Sequence, residues 1–237
     1  MKKVIYALLF GVMPSIVCGQ ENQTEYNFLR LPVSAHAGAL GGENITIIED
    51  DPSLIFSNPA LAASVTDQTV GLNYMNYMSG VSFASGSYTK VLSQKSTLSG
   101  GIRYINYGSM KETDASGTQL GTFSANEFSL EGTMAYQLAR NIVGGITTKY
   151  VYSHIADYTS MAVGVDLGIN WYMPNREWSI SIVAKNLGGE IKAYHDDFGK
   201  MPFDLQMGVS KTFQALPVRV SATLVDMTHY GYRFANH

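Results

Sequence analysis

The sequence predicts an all-β fold, a transmembrane antiparallel β-barrel. Three observations lead there: residues that alternate between apolar and small or polar, alternating segments that run to ten or more residues, and aromatics gathered near the segment ends. A period of two puts one kind of side chain on each face of a strand. The longest example spans 160–171, where Met161, Val163, Val165, Leu167, Ile169 and Trp171 are apolar and Ser160, Ala162, Gly164, Asp166, Gly168 and Asn170 are small or polar. The pattern recurs in Phe128, Leu130, Gly132, Met134, Tyr136 and Leu138 against Ser129, Glu131, Thr133, Ala135 and Gln137. It returns in Leu205, Met207 and Val209, and again in Val218, Val220, Ala222 and Leu224. With 68–77, 81–92, 97–107, 141–154 and 177–186, about nine strands are expected.

Strand length and end residues decide between a soluble sandwich and a barrel. Soluble strands usually run about 5–6 residues, whereas about 9–11 are needed to cross a bilayer at a tilt. Tyr74, Tyr77, Tyr104, Tyr107, Tyr136, Tyr150, Tyr152, Trp171, Tyr172, Trp178 and Phe213 lie near strand ends, where membrane interfaces select amphipathic rings. Charged residues make up 15% of the chain, against about 25% in ordinary soluble domains. The sandwich alternative would solvate its polar face and would be expected to carry more Lys and Glu there than the Gly, Ser and Thr found.

At the N-terminus, Lys2 and Lys3 precede an apolar run to Val17, the pattern of a signal peptide over residues 1–19, with Val17 and Gly19 at the small-residue positions of a cleavage site before Gln20. The single cysteine, Cys18, falls inside that segment. The mature chain would therefore have neither a disulfide nor a thiolate. Lipidation of Cys18 is disfavoured by the preceding Val17. The chain has 16 basic and 19 acidic residues, net −3, and loss of Lys2 and Lys3 takes it to −5. That balance argues against a nucleic-acid partner, which needs a basic surface. Beyond Gly19 nothing approaches the ~18 consecutive apolar residues of a spanning helix, so a membrane protein would have to cross with strands.

Residues 20–67 read as an irregular plug or lead-in segment, and 68–237 as an incomplete barrel. The lead-in holds the glycine-rich Gly38-Ala39-Leu40-Gly41-Gly42, an extended piece over 44–48 and the acidic Glu49-Asp50-Asp51. Asp51 before Pro52 reads as a helix N-cap with proline at the first helical position. Asn58 before Pro59 and Ala60 should stop that helix, because a residue preceding proline avoids the α region. The carboxylates at 49–51 are more simply explained by the positive end of that helix than as a catalytic pair.

If the apolar faces point to lipid, the inward charges are Arg103, Glu131, Lys149, Asp166, Lys185 and Arg219. Their signs alternate over five successive charge-bearing strands, so neighbours can pair across the lumen wall. Facing lipid they would be costly. No Gly-x-Ser-x-Gly elbow, Walker A loop or His-Glu-x-x-His helix occurs. His36, His154, His195, His229 and His237 are scattered, and His195-Asp196-Asp197 reads as an exposed loop. No enzymatic activity, metal or cofactor is expected.

Residues 27–42, Asn-Phe-Leu-Arg-Leu-Pro-Val-Ser-Ala-His-Ala-Gly-Ala-Leu-Gly-Gly, and residues 50–61, Asp-Asp-Pro-Ser-Leu-Ile-Phe-Ser-Asn-Pro-Ala-Leu, resemble the lead-in of the PorQ proteins of the type IX secretion system. More distantly they are similar to PorV and the FadL-type outer-membrane transporters. The resemblance implies a fourteen-stranded barrel in the outer membrane of a Bacteroidota-type cell, with the lead-in tucked into the lumen. Gly38, Gly41, Gly42, Asp50, Asp51, Asn58, Pro59 and Ala60 would form the plug motif. It implies a non-enzymatic role with PorZ-, PorU- and PorV-like partners and outer-membrane lipid, in attaching cargo to anionic lipopolysaccharide at the cell surface. The alternative it carries is FadL-like transport of hydrophobic molecules. Gly100-Gly101 and Gly144-Gly145 would mark kinks or bulges, or equally packing beneath the plug. Fourteen strands of about ten residues need ~140 residues in strands alone; nine expected strands and an ending in Arg233-Phe234-Ala235-Asn236-His237 suggest that the last strands are missing.

Overall fold

Among the described residues, nine antiparallel strands, each hydrogen-bonded to the next in chain order, make one sheet. They are β1 (Thr69–Asn76), β2 (Ser82–Ser93), β3 (Ser96–Thr113), β4 (Gln119–Ala139), β5 (Ile142–Ile155), β6 (Tyr158–Met173), β7 (Trp178–Lys192), β8 (Asp204–Phe213) and β9 (Val218–Leu224). This is a computed structural model that describes residues 24–77, 80–194, 198–213 and 218–228. The signal segment, His195-Asp196-Asp197 and the residues from Arg233 on lie outside the described residues. Among the described residues the sheet is open: β1 and β9 are its edges and do not pair with each other. Among the described residues no helix is long and apolar enough to cross a membrane.

The period-two alternation appears as two unlike faces. β4 reads buried at Glu127, Ser129, Glu131, Thr133 and Ala135 and exposed at Leu130, Met134 and Tyr136. β6 buries Ser160, Ala162, Asp166 and Asn170 while exposing Val163, Leu167, Ile169 and Trp171. The buried face is thus the polar one, and the exposed face carries large apolar side chains on all nine strands, from Leu72 at 81% exposure on β1 to Leu224 at 62% on β9. Tyr107 and Tyr172 depart from the strand-end aromatics around them and belong to the buried side, where the Tyr107 hydroxyl donates to Glu127 at 2.5 Å and that of Tyr172 to Glu177 at 3.2 Å.

Residues 24–67 cover the polar face. Their path is a 3-10 turn Asn27–Arg30, a short helix α1 (Ala35–Ala39), a buried extended stretch through Ile45 and Ile47, and two further 3-10 turns, Pro52–Phe56 and Pro59–Ser64. The Ser34 hydroxyl caps α1 by accepting from the Ala37 amide, the role for which serine is favoured at that position. Asp51 caps Pro52–Phe56 by accepting from the Ser53 amide at 2.8 Å. Asn58 is extended, as its proline requires, so the first turn ends there. It also begins another turn, because its side chain accepts from the Ala60 amide at 2.9 Å; the sequence reading of Asn58-Pro59-Ala60 as a stop missed this second role.

Two glycines show how closely segment and sheet approach. A Cβ on Gly145 would lie 2.4 Å from the Ala60 amide nitrogen, and one on Gly168 would lie 2.2 Å from Asn58 Oδ1. Gly144-Gly145 and Gly100-Gly101 lie in unbroken register, so they mark no bulge. The irregularities sit elsewhere, one of them where β7 passes Asn186 at φ 58° and the register with β6 shifts between Val165 and Leu167. That shift lets Lys185 and Asn186, adjacent in sequence, both be buried.

These contacts predict unequal costs for two alanine substitutions. Gly145→Ala forces backbone apart and is expected to destabilise by about 1–3 kcal/mol. Gly100→Ala, whose Cβ would meet nothing within 4 Å, is expected to leave the denaturant midpoint unchanged; urea titration of both purified variants compares them.

Candidate functional site

The covered face carries a ladder of buried ion pairs. Arg103 on β3 lies diagonally from Glu131 on β4, donating through Nε at 2.7 Å and again through Nη2. Its Nη1 donates to the Leu29 carbonyl at 3.0 Å, and its guanidinium lies 5.3 Å from the centre of the Phe56 ring. Ser129 adds a hydroxyl to the same Glu131 oxygen at 2.8 Å. Lys149 on β5 stands opposite Glu131 in register and pairs with Asp166 on β6 at 2.7 Å. These four side chains are at most 2% exposed. Charges so buried are tolerated only when paired and hydrogen-bonded.

Asn186 completes the middle of the ladder because of its bulge. Its amide donates to Asp166 at 2.7 Å, its side-chain oxygen accepts from Lys149 at 2.7 Å, and its side-chain nitrogen donates to the Pro202 carbonyl at 2.9 Å. Lys185 pairs with Glu43 of the N-terminal segment at 3.3 Å, and Gln206 bridges Glu43 and Asp204. Arg219 on β9 is a third exposed and pairs with Glu49. The six inward charges named from the sequence are therefore each partnered, four with one another across neighbouring strands and two with carboxylates of residues 24–67.

The lead-in residues singled out from the sequence do not converge on one point. Gly38 lies in α1; Gly41 and Gly42 follow it at φ 94° and 87°, and the Gly42 amide returns to the Ala37 carbonyl at 2.8 Å. Asp50 accepts from the Thr66 hydroxyl and amide at 2.5 and 2.7 Å, which holds its carboxyl below the usual range. Asp51, beyond its capping role, receives His36 Nδ1 at 3.0 Å, and the opposite ring nitrogen faces Glu49 at 3.4 Å. Asn58 is fully buried, with its side-chain nitrogen donating to the Ile45 carbonyl at 2.8 Å, and Pro59 and Ala60 lie over β5 and β6.

Several polar residues of this face escaped the sequence reading. Glu127 shares the parity of Glu131 four residues on, so alternation could have found it. Glu25 and Glu43 sit in irregular chain, where no periodicity assigns a face. Asn186 and Glu190 lie at or beyond the bulge, which shifts the parity of everything after it. Among the described residues no grouping of three His, Cys, Asp or Glu could hold a metal ion. A cavity of about 240 Å³ opens between the Pro59–Ser64 turn and the β4–β5 turn, lined by Leu61, Gln137, Arg140 and Tyr172 among others. Its lining holds no nucleophile paired with a base. Compared with known proteins, no family model matches the chain, and no curated protein matches it.

The ladder predicts a non-additive pattern. Arg103→Met strands the Glu131 carboxylate and should destabilise by about 3–5 kcal/mol, whereas adding Glu131→Leu should recover most of the loss. A double-mutant cycle of unfolding free energies measures it. Asn58→Ala should cost about 1 kcal/mol for the cap alone and more for the buried Ile45 carbonyl it leaves without its donor.

Proposed function

We propose that this chain forms the wall of an outer-membrane β-barrel whose N-terminal segment is a lumen plug, and that it serves as a non-enzymatic PorQ-like binding subunit of the type IX secretion attachment machinery. The observation that carries the membrane reading is the inversion of the sheet, with its polar face buried and paired and its apolar face exposed on every strand. In water such a face would be a large exposed apolar surface, of the kind that marks a membrane or protein contact. In lipid it is the ordinary outside of a barrel. Strands of up to 21 residues, as in β4, exceed the membrane thickness and reach past it.

The unequal reach of the strands supports an orientation. The β2–β3 and β4–β5 links at one end are two-residue turns, Gln94-Lys95 and Arg140-Asn141; at the other end the β5–β6 link, Ala156-Asp157, is as short, but β3 and β4 run on together beyond their neighbours. Barrels of this class keep short turns on the periplasmic side and longer excursions outside. Pairing with β2 ends at Asn106 and pairing with β5 begins at Ala125, so the β3–β4 hairpin projects alone for roughly 20 Å. Asp114 braces its tip by accepting from the Ser116 hydroxyl at 2.6 Å and from the Thr118 and Ser116 amides at 2.8 and 2.9 Å, which lowers its pKa. A braced arm on the outer side suits the recognition of a surface partner. The PorQ-like identity rests on the resemblance of residues 27–42 and 50–61.

Affinity purification of the tagged, full-length protein from outer membranes in mild detergent tests the reading. Recovery with PorZ-, PorU- or PorV-like proteins is the expected result, and removal of residues 110–122 should cut that recovery while leaving membrane insertion intact. A barrel recovered alone with bound lipid would instead favour FadL-like transport. Recovery only in the soluble fraction would end both readings.

A further inference from the structure

At the end of the covered face away from the Pro59–Ser64 turn, two carboxyl groups meet. Glu25 lies near the start of the described N-terminal segment, and Glu190 lies near the end of β7. Both converge on Gly199. The Gly199 amide donates to Glu190 Oε2 at 2.6 Å, and a Cβ on Gly199 would lie 2.3 Å from the Glu25 carboxyl carbon. The two carboxyls are thus gathered around the same glycine, one on its amide and the other against its Cα. Glu190 Oε1 is already occupied by the Tyr26 hydroxyl at 2.6 Å, while Glu25 Oε2 is shielded from water with no donor facing it. No cation of the ladder reaches this pair. Two ionised carboxylates gathered at one glycine with so few donors repel, and one proton between them removes the repulsion.

What the pair holds gives it consequence. The Glu25 amide donates to the Lys200 carbonyl at 3.0 Å, so residues 24–26 and 198–200 are joined by backbone as well as by side chain. Residues 198–203 form a strap laid back over the covered face: Met201 is buried in the same apolar cluster as Tyr26 and Phe28, and the Pro202 carbonyl accepts from Asn186. Asn186 is the residue that holds Lys149 and Asp166. We propose that the Glu25–Glu190 carboxyl pair is a pH-sensitive latch, in which one shared proton keeps residues 24–26 and the 198–203 strap seated together and loss of that proton frees both.

The groups that face Glu25 are Glu190 from β7, Glu127 from β4, and Tyr26 beside it in sequence. Tyr107 donates to Glu127, and Tyr194, after β7, donates to Ser153. None is a cation, so each either opposes ionisation of Glu25 or is neutral to it. Burial first, and then the Glu190 and Glu127 carboxylates, push the Glu25 carboxyl up to about 7. The sign follows from linkage. An acid whose pKa is raised in the folded state gives stability fully present below its ordinary value of 4.5 and lost as pH rises through about 7. The latch is therefore closed in mildly acidic surroundings and open in alkaline ones.

Hydrogen exchange of the full chain in detergent micelles, corrected for intrinsic base catalysis, reads the latch at the Glu25 and Gly199 amides. Between about pH 5.5 and about pH 8.5 their protection should fall by about tenfold or more, a tenfold change being one unit of differential protonation, while β4 and β5 amides stay protected. Glu25→Gln, which cannot ionise, should keep both amides protected across the range. Gly199→Ala, which displaces the Glu25 carboxyl, should leave them unprotected at every pH with the sheet still intact. Protection that does not change with pH in the unaltered protein, or a Glu25→Gln profile that matches it, would overturn the proposal.

Discussion

A sheet that buries its polar face must supply a hydrogen-bonding partner for every group on that face, and most of this molecule follows from that requirement. Apolar side chains can be packed against one another with little regard to direction. Charges, amides and hydroxyls cannot, because an unpaired polar group shielded from water costs more than a formed bond returns. Residues 24–67 meet the demand with backbone as much as with side chains. The Leu29 carbonyl receives Arg103, the Val33 carbonyl receives Ser85 and the Thr46 carbonyl receives Ser210. Irregular chain suits this task because its own carbonyls and amides are not consumed in a ladder.

The ion pairs answer the same constraint in a stricter form. Burying four charges as deeply as Arg103, Glu131, Lys149 and Asp166 is weak ground for stability, since well-packed apolar residues of similar volume often serve as well or better. What the pairs supply is register. A slip of β4 by one residue against β3 or β5 would turn Glu131 to the apolar face and leave Arg103 and Lys149 alone. The hydroxyl pairs Thr133–Thr147 at 2.7 Å and Thr89–Ser99 at 2.9 Å repeat the device without charge. Each neighbouring pair of strands in the centre of the sheet is thereby locked by directional contacts that only one alignment satisfies.

Much of this was legible before any coordinates. Nine alternating segments correspond to nine strands because alternation follows directly from the pleat, and the change of sign from strand to strand is a property of composition that pairing then uses. Capping by Asp51 was legible too, since a short acidic side chain before proline has few other uses. The limits of β3 and β4 were not, because the hairpin beyond Tyr107 has polar residues on both faces and so carries no alternation. Asn186 was hidden for a different reason: a left-handed residue within a strand changes the face of all that follows, and nothing in the run Ala184-Lys185-Asn186-Leu187 marks where the change falls. The partners of the charges in residues 24–67 depend on tertiary approach alone, which no local pattern encodes.

The way the N-terminal segment reaches every part of the sheet bears on how the chain folds. Asn44 donates to Ser221, 177 residues away, and Glu49 receives Arg219, 170 residues away. The strands themselves are all nearest-neighbour hairpins, which close small loops and form quickly. A segment whose contacts run from β1 to β9 raises the mean sequence separation of the whole, and rates of folding fall as that separation grows. Its partners on β8 and β9 are the strands farthest from it along the chain, so where the sheet is built in chain order residues 43–49 wait, with Ile45 uncovered by Gly208, for the last strands to arrive. The slow step would then be the closing of residues 43–49 against β8 and β9 rather than the zipping of hairpins, and a chain held at that stage is the form most exposed to proteolysis and to aggregation.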